Sequence, residues 1–165
     1  MEPVDGTEQV NWLDDDEQQA WQTLVALLMR LPSALDTQTQ RDADMTHFDY
    51  SVLAQLSLAP ENRLQLAVLA SQANASLSRL SHVVTKMEKA GWVEREAVPG
   101  SRASYAVLTD SGRARIAEAA PCHVAAVRAL VFDGLRPAQV RQLHKLGSAM
   151  LTQLDKAIAS GVGRA

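Results

Sequence analysis

The chain of 165 residues holds a single cysteine, Cys122. One thiol excludes an intrachain disulfide and any paired-cysteine metal site. A reducing, cytoplasmic setting is expected. No apolar run approaches the roughly 18 residues of a transmembrane helix, so no membrane partner is expected. The opening segment MEPVDGTEQVNWLDDDE has neither the basic start nor the apolar stretch of a secretory leader, and none is expected. Histidines are few and far apart. His47, His82, His123 and His144 give no i, i+4 pair, so a metal site is not expected. There is no glycine-rich phosphate loop, no GxSxG and no readable Ser-His-acid set. These absences argue against an enzyme and against a bound cofactor.

What is present is a normal globular composition. The apolar fraction is 47%, enough for a core without covalent staples. The length fits one domain, or one compact unit with an oligomerisation arm. The net charge is −3, but it is unevenly spread. Residues 1–17 carry −7, residues 63–102 carry +3 and residues 103–165 carry +4. A local basic face can dock on phosphates even in an acidic chain, because salt screens charges beyond roughly 8 Å.

Asp14, Asp15, Asp16 and Glu17 favour a helix start by interacting with its dipole. Trp21, Leu24, Leu28, Leu31 and Leu35 then recur at helical spacing, and Pro32 is expected to kink or restart that helix. Thr46 reads as the N-cap of a helix HFDYSVLAQLSLA ending before Pro60. A short extended piece at Leu64–Leu66 leads into a helix AVLASQA. Ser76 caps the next helix, which runs to Ala90 with Gly91 as its stop. Trp92–Ala97 and Ser104–Leu108 read as a hairpin around Pro99 and Gly100. Thr109, Asp110 and Ser111 offer cap chemistry for a fifth helix through Pro121. Gly134 breaks it, and Pro137 opens a last helix to about residue 159. Residues 122–131 (CHVAAVRALV) are apolar almost all round, which implies burial against a partner.

The stretch SLSRLSHVVTKMEKAGWVERE carries the functional signal. Leu80, Val83, Val84 and Met87 fall at i, i+3, i+4 and i+7 and make a core-facing stripe. Ser78, Arg79, Ser81, His82, Thr85, Lys86 and Lys89 point elsewhere. Short hydroxyls and an arginine in the first turns suit base edges in a major groove. Lysines further along suit phosphates, which add affinity without sequence information. An amphipathic helix alone is ordinary. This one follows a short helix and tight turn, and precedes a basic-tipped hairpin carrying Arg95 and Arg102. The arrangement is that of a helix-turn-helix with a wing, whose arginine suits a narrow minor groove.

Residues 64–116 resemble the winged helix-turn-helix core of the bacterial multiple-antibiotic-resistance regulator (MarR) family. The resemblance rests on SLSRLSHVVTKMEKAGWVERE and on SRASYAVLTDSGR. Within them it rests on the hydroxyl-x-Ser-Arg helix start, the Met-Glu-x-x-Gly ending and the Leu-Thr-x-x-Gly after the wing. Flanking helices extend it over residues 14–160. It implies a mainly α fold with a small β-wing, whose outer helices form a homodimer and whose two lobes read a palindromic operator in double-stranded DNA. It also implies a repressor under the control of a small aromatic or phenolic effector. The expected organisation is a flexible acidic segment 1–13, dimerisation helices 14–45 and 110–160, a DNA-binding domain 46–109 and a tail 161–165. Ser76, Ser78, Arg79 and His82 match the family's base- and phosphate-contacting places, and Arg102 its wing arginine. Lys86, Lys89, Arg63 and Arg95 are expected phosphate contacts. One departure is Gly100, which stands where the family commonly has an Asp that helps hold the wing.

Two further expectations concern bystanders. Cys122, among apolar neighbours, is expected to be a buried, inert thiol. Trp21, His47, Phe48 and Tyr50 are expected to be core side chains rather than effector ligands. The competing functional reading is a winged-helix protein-interaction module without sequence-specific DNA binding, which a net-acidic chain also suits.

Overall fold

The computed structural model describes residues 10–98, 100, 101 and 103–162. Most of the expected flexible start, the turn residue Pro99, the wing arginine Arg102 and the last tail residues lie outside the described residues. The chain divides into two units, Met1–Ala34 and Leu35–Ala165.

The element order is α1 (Asp15–Ala43), α2 (His47–Leu58), β1 (Arg63–Gln65), α3 (Leu66–Gln72), α4 (Leu77–Lys89), β2 (Val93–Ala97), β3 (Ser104–Leu108), α5 (Asp110–Val127) and α6 (Pro137–Ala159). Helix α1 passes through Pro32 without restarting. A proline removes a single backbone donor from the ladder, which a long helix tolerates. In the first unit Trp21 is 53% exposed rather than core.

Everything else belongs to the second unit. The sheet is antiparallel in the order β1-β3-β2, so the expected hairpin gains a third strand from the short extended piece. The core is aliphatic. Val52, Leu53 and Leu56 of α2, Leu69 of α3, Leu80, Val84 and Met87 of α4, and Ala106 of β3 are fully buried together. The α4 stripe predicted from spacing is therefore the face that docks this helix.

Local chemistry fixes the ends of α4. The Ser76 side chain accepts from the Arg79 N–H at 3.2 Å, an N-cap. At the other end Gly91 adopts φ +76°, and the Trp92 N–H reaches back to the Met87 carbonyl at 2.9 Å. That pair of features is a Schellman stop, which needs a residue free of left-handed strain. Helix α5 continues through Pro121 and widens into a π-helical segment at Arg128–Phe132 before Gly134. Cys122 is exposed, which corrects the expected buried thiol. Its segment is apolar, but Cys122, Val124 and Leu130 all face outward from the chain.

Candidate nucleic-acid interface

Helix α4 presents three faces. The buried stripe takes one. On the opposite side Ser78, His82, Thr85 and Lys89 follow at i, i+4, i+7 and i+11 and are all exposed. The side chains of Ser78, His82 and Lys89 have no hydrogen-bond or ion-pair partner among the described residues. This line is the part of α4 most open to a ligand.

Both flanks of α4 are braced. On the α2 side, the Lys86 Nζ lies 2.6 Å from Asp49 Oδ2. Asp49 is almost wholly buried, and the same oxygen accepts from the Thr46 N–H at 3.1 Å, closing the capping box that starts α2. Two turns earlier on α4, the Arg79 guanidinium rests over the Phe48 ring, 4.3 Å from its centroid. On the wing side, Arg95 of β2 donates to the Ser81 carbonyl at 2.8 Å and the Thr85 hydroxyl at 2.9 Å, and pairs with Glu88 at 2.9 Å. A hollow of about 260 Å³ lies beside this contact, lined by Leu77, Ser81, Arg95, Gln65 and Ser104 among others.

The nine residues singled out from sequence therefore have unequal freedom. Ser76 spends its hydroxyl on the cap. Ser78, His82 and Lys89 are free. Arg79 is stacked, but its edge donors are unused. Lys86 is anchored yet half exposed, and one bond to Asp49 leaves two of its three N–H donors. Arg95 is committed internally. Arg63 belongs to the sheet, where it crosses over the Tyr105 ring and bonds Glu96 at 3.0 Å. Arg102 is outside the described residues. Sequence reading missed Phe48 and Asp49 as partners of α4, because 37 residues separate Asp49 from Lys86 and no local pattern marks the pair.

The same first turn of α2 also faces α5. The rings of His47 and His123 stack at 5.4 Å, and Tyr50 lies 4.0 Å from His123. Gln38 Nε2 donates to Asp42 at 3.0 Å, so its oxygen is left to accept from His123 Nδ1 at 3.2 Å. His47 Nδ1 is buried without a hydrogen-bond partner. An imidazolium there would bury an unpartnered N–H. Burial pushes both imidazoles below their ordinary range. His47 adds to the effect on His123, while Asp36 opposes it at His47. The unfolded chain thus takes up protons first on acidification, and stability falls as the pH drops below about 6.5. Asp42, held down to about 2 chiefly by Arg41, titrates outside that interval. Urea midpoints at neutral and mildly acidic pH check this. The double variant His47→Asn/His123→Asn is expected to lose less stability over the interval than the wild type, and an equal loss would place the titration elsewhere.

Among the described residues no helix is long and apolar enough to cross a membrane, and no group of three or more His, Cys, Asp or Glu could hold a metal.

The MarR family model matches residues 45–104, which span the capped start of α2 to the start of β3. A MarR family transcriptional regulator from Streptomyces coelicolor, solved in complex with DNA, is 40% identical. It superposes with a TM-score of 0.82 over 88% of this chain and 92% of its own. This chain belongs to the MarR family. The family comprises transcriptional regulators, and the winged-helix core with flanking helices is its fold. AbsC, a second MarR family regulator from Streptomyces coelicolor, is 35% identical with a TM-score of 0.81, covering 89% of this chain and 99% of that one. CouR from Rhodococcus jostii, solved with p-coumaroyl-CoA, shares the MarR fold at 20% identity and a TM-score of 0.66, over 86% of this chain and 95% of its own. No curated protein matches the chain.

Proposed function

We propose that this MarR protein is a dimeric repressor that reads a pseudo-palindromic operator in double-stranded DNA and is released by a small aromatic or phenolic effector. The observation that carries the DNA reading is the outward line of α4, where free short polar groups and a lysine stand beside the unused donors of Arg79. A relative at 40% identity solved on DNA supports it. Ser78 and Arg79 are assigned to base edges, with His82 beside them. Lys89 and the free donors of Lys86 are assigned to phosphates, and Arg102 to the minor groove.

Dimerisation is supported by α6, which has no buried residue in the isolated chain. It exposes Leu143, Leu146, Met150, Leu151, Leu154 and Ile158. Such a row of apolar side chains on one helix marks an interaction surface. In this reading segments 14–45 and 110–160 join two protomers, and 46–109 forms each reading lobe. Two-fold symmetry then places half-sites about one helical turn apart, roughly 10 bp centre to centre. The effector class rests on the family resemblance, with CouR bound to p-coumaroyl-CoA as a precedent in the fold. The protein acts in the cytoplasm, where its DNA lies.

The test uses Arg79→Ala and Lys89→Ala on a duplex selected from a random library by the wild-type protein, beside a scrambled duplex. Arg79→Ala is expected to lose discrimination. Lys89→Ala should weaken both duplexes alike and lower the salt slope by about one unit. Equal losses for Arg79→Ala on the two duplexes would remove Arg79 from the reading.

A further inference from the structure

Arginine side chains on an exposed helix are costly to order, because each one immobilised at an interface loses its rotamer freedom. A reading arginine gains if that ordering is made beforehand. Arg79 has such a device. Its guanidinium lies over the Phe48 ring, 4.3 Å from the centroid. Stacking uses the flat face of the guanidinium, whereas bidentate recognition uses its edge. The edge is free, since no hydrogen bond from the guanidinium to another described residue exists.

Phe48 is in turn fixed. It occupies the first turn of α2, behind the Thr46 cap, and packs partly against the core. Its neighbour Asp49 holds Lys86, seven residues beyond Arg79 on the same flank of α4. Two consecutive residues of α2 therefore seat two side chains spaced two turns apart on α4. The core does not need an aromatic face beneath an arginine, and a leucine at this position would fill the partly buried site.

We infer that Phe48 is a positioning residue for DNA reading, one that acts through Arg79. The inference rests on the reading role proposed for Arg79 and adds a second residue from outside the recognition helix. The experiment is a double-mutant cycle of Phe48→Leu and Arg79→Ala on the library-selected duplex and its scrambled counterpart, with a urea melt of each variant. Phe48→Leu is expected to lose about twofold to fivefold in affinity for the selected duplex, the worth of one exposed cation–π contact. In the Arg79→Ala background the same change should cost nothing further. Phe48→Tyr keeps the ring and should bind as the wild type does. Phe48→Met, flexible and apolar, stands in if leucine impairs folding. Equal losses from Phe48→Leu in both backgrounds would overturn the inference and leave Arg79 as reader. An Arg79→Ala protein that discriminates like the wild type would overturn the reading itself and the inference with it.

Discussion

Gly112→Ala is expected to destabilise the protein by about 3 kcal/mol or more, at the top of the range for overpacked sites. Gly112 lies in the first turn of α5. A Cβ there would stand 2.1 Å from the Trp92 carbonyl oxygen and 2.7 Å from Leu108 Cδ1. The first neighbour is backbone, so no rotamer change relieves it. Nor is the strand end free to retreat. The Thr109 N–H donates to that same Trp92 carbonyl at 3.1 Å, and the Thr109 hydroxyl donates to the Gly91 carbonyl at 2.6 Å. Thr109 also caps α5 through the Gly112 N–H at 3.0 Å. The exit of α4, the root of the wing and the entry of α5 meet at this point. Arg115 adds to it, donating to the Ala43 carbonyl and lying 5.6 Å above the Trp92 ring. Equilibrium urea unfolding measures the cost. An unfolding free energy within about 0.5 kcal/mol of the wild type, the range of an indifferent surface change, would contradict such crowding at the junction.

Asp49→Ala is expected to cost about 2–3 kcal/mol, mainly by stranding the partly buried Thr46 N–H. Asp49 is 2% exposed, and one oxygen serves both that donor and Lys86 Nζ. Lys86 is 58% exposed, so it rehydrates once freed, and its share of the loss is small. Asp49→Asn keeps a cap acceptor while losing the charge, and should cost roughly 1 kcal/mol, the scale of one ordinary hydrogen bond. The ordering of the two variants separates capping from ion pairing. If Asn proved as damaging as Ala, the charge on Asp49 rather than its cap would be what holds α2 and α4 together.

The fold was legible where the determinants are local. Ser76, Gly91, Thr109 and Pro137 mark helix ends by side-chain chemistry or by φ, and each stands at the end it announced. The α4 stripe was legible because burial follows helical period. Pro32 does not restart the helix, because a proline in a long helix removes one bond among many. Cys122 is exposed in the single chain although its neighbours are apolar, because Val124 and Leu130 beside it face outward as well. The site was legible as a list and opaque as a geometry. Arg95 and Lys86 look like free cations in the chain, yet Arg95 clasps Ser81, Thr85 and Glu88, and Lys86 is tied to a carboxylate 37 residues away. Long-range pairing of this kind leaves no period or spacing to read.

Fluorescence anisotropy on the wild-type protein shows whether the outward face of α4 reads DNA from a dimer. A library-selected duplex and a scrambled duplex are titrated over a salt series, with the protein-to-DNA stoichiometry read from the saturation point. Tight binding to the selected duplex is expected, with two protomers on each and an affinity that falls steeply with added salt, because releasing counterions into a saltier solution gains less entropy. Weak and equal binding to both duplexes, with little salt dependence, would contradict it and turn the same face toward a protein partner.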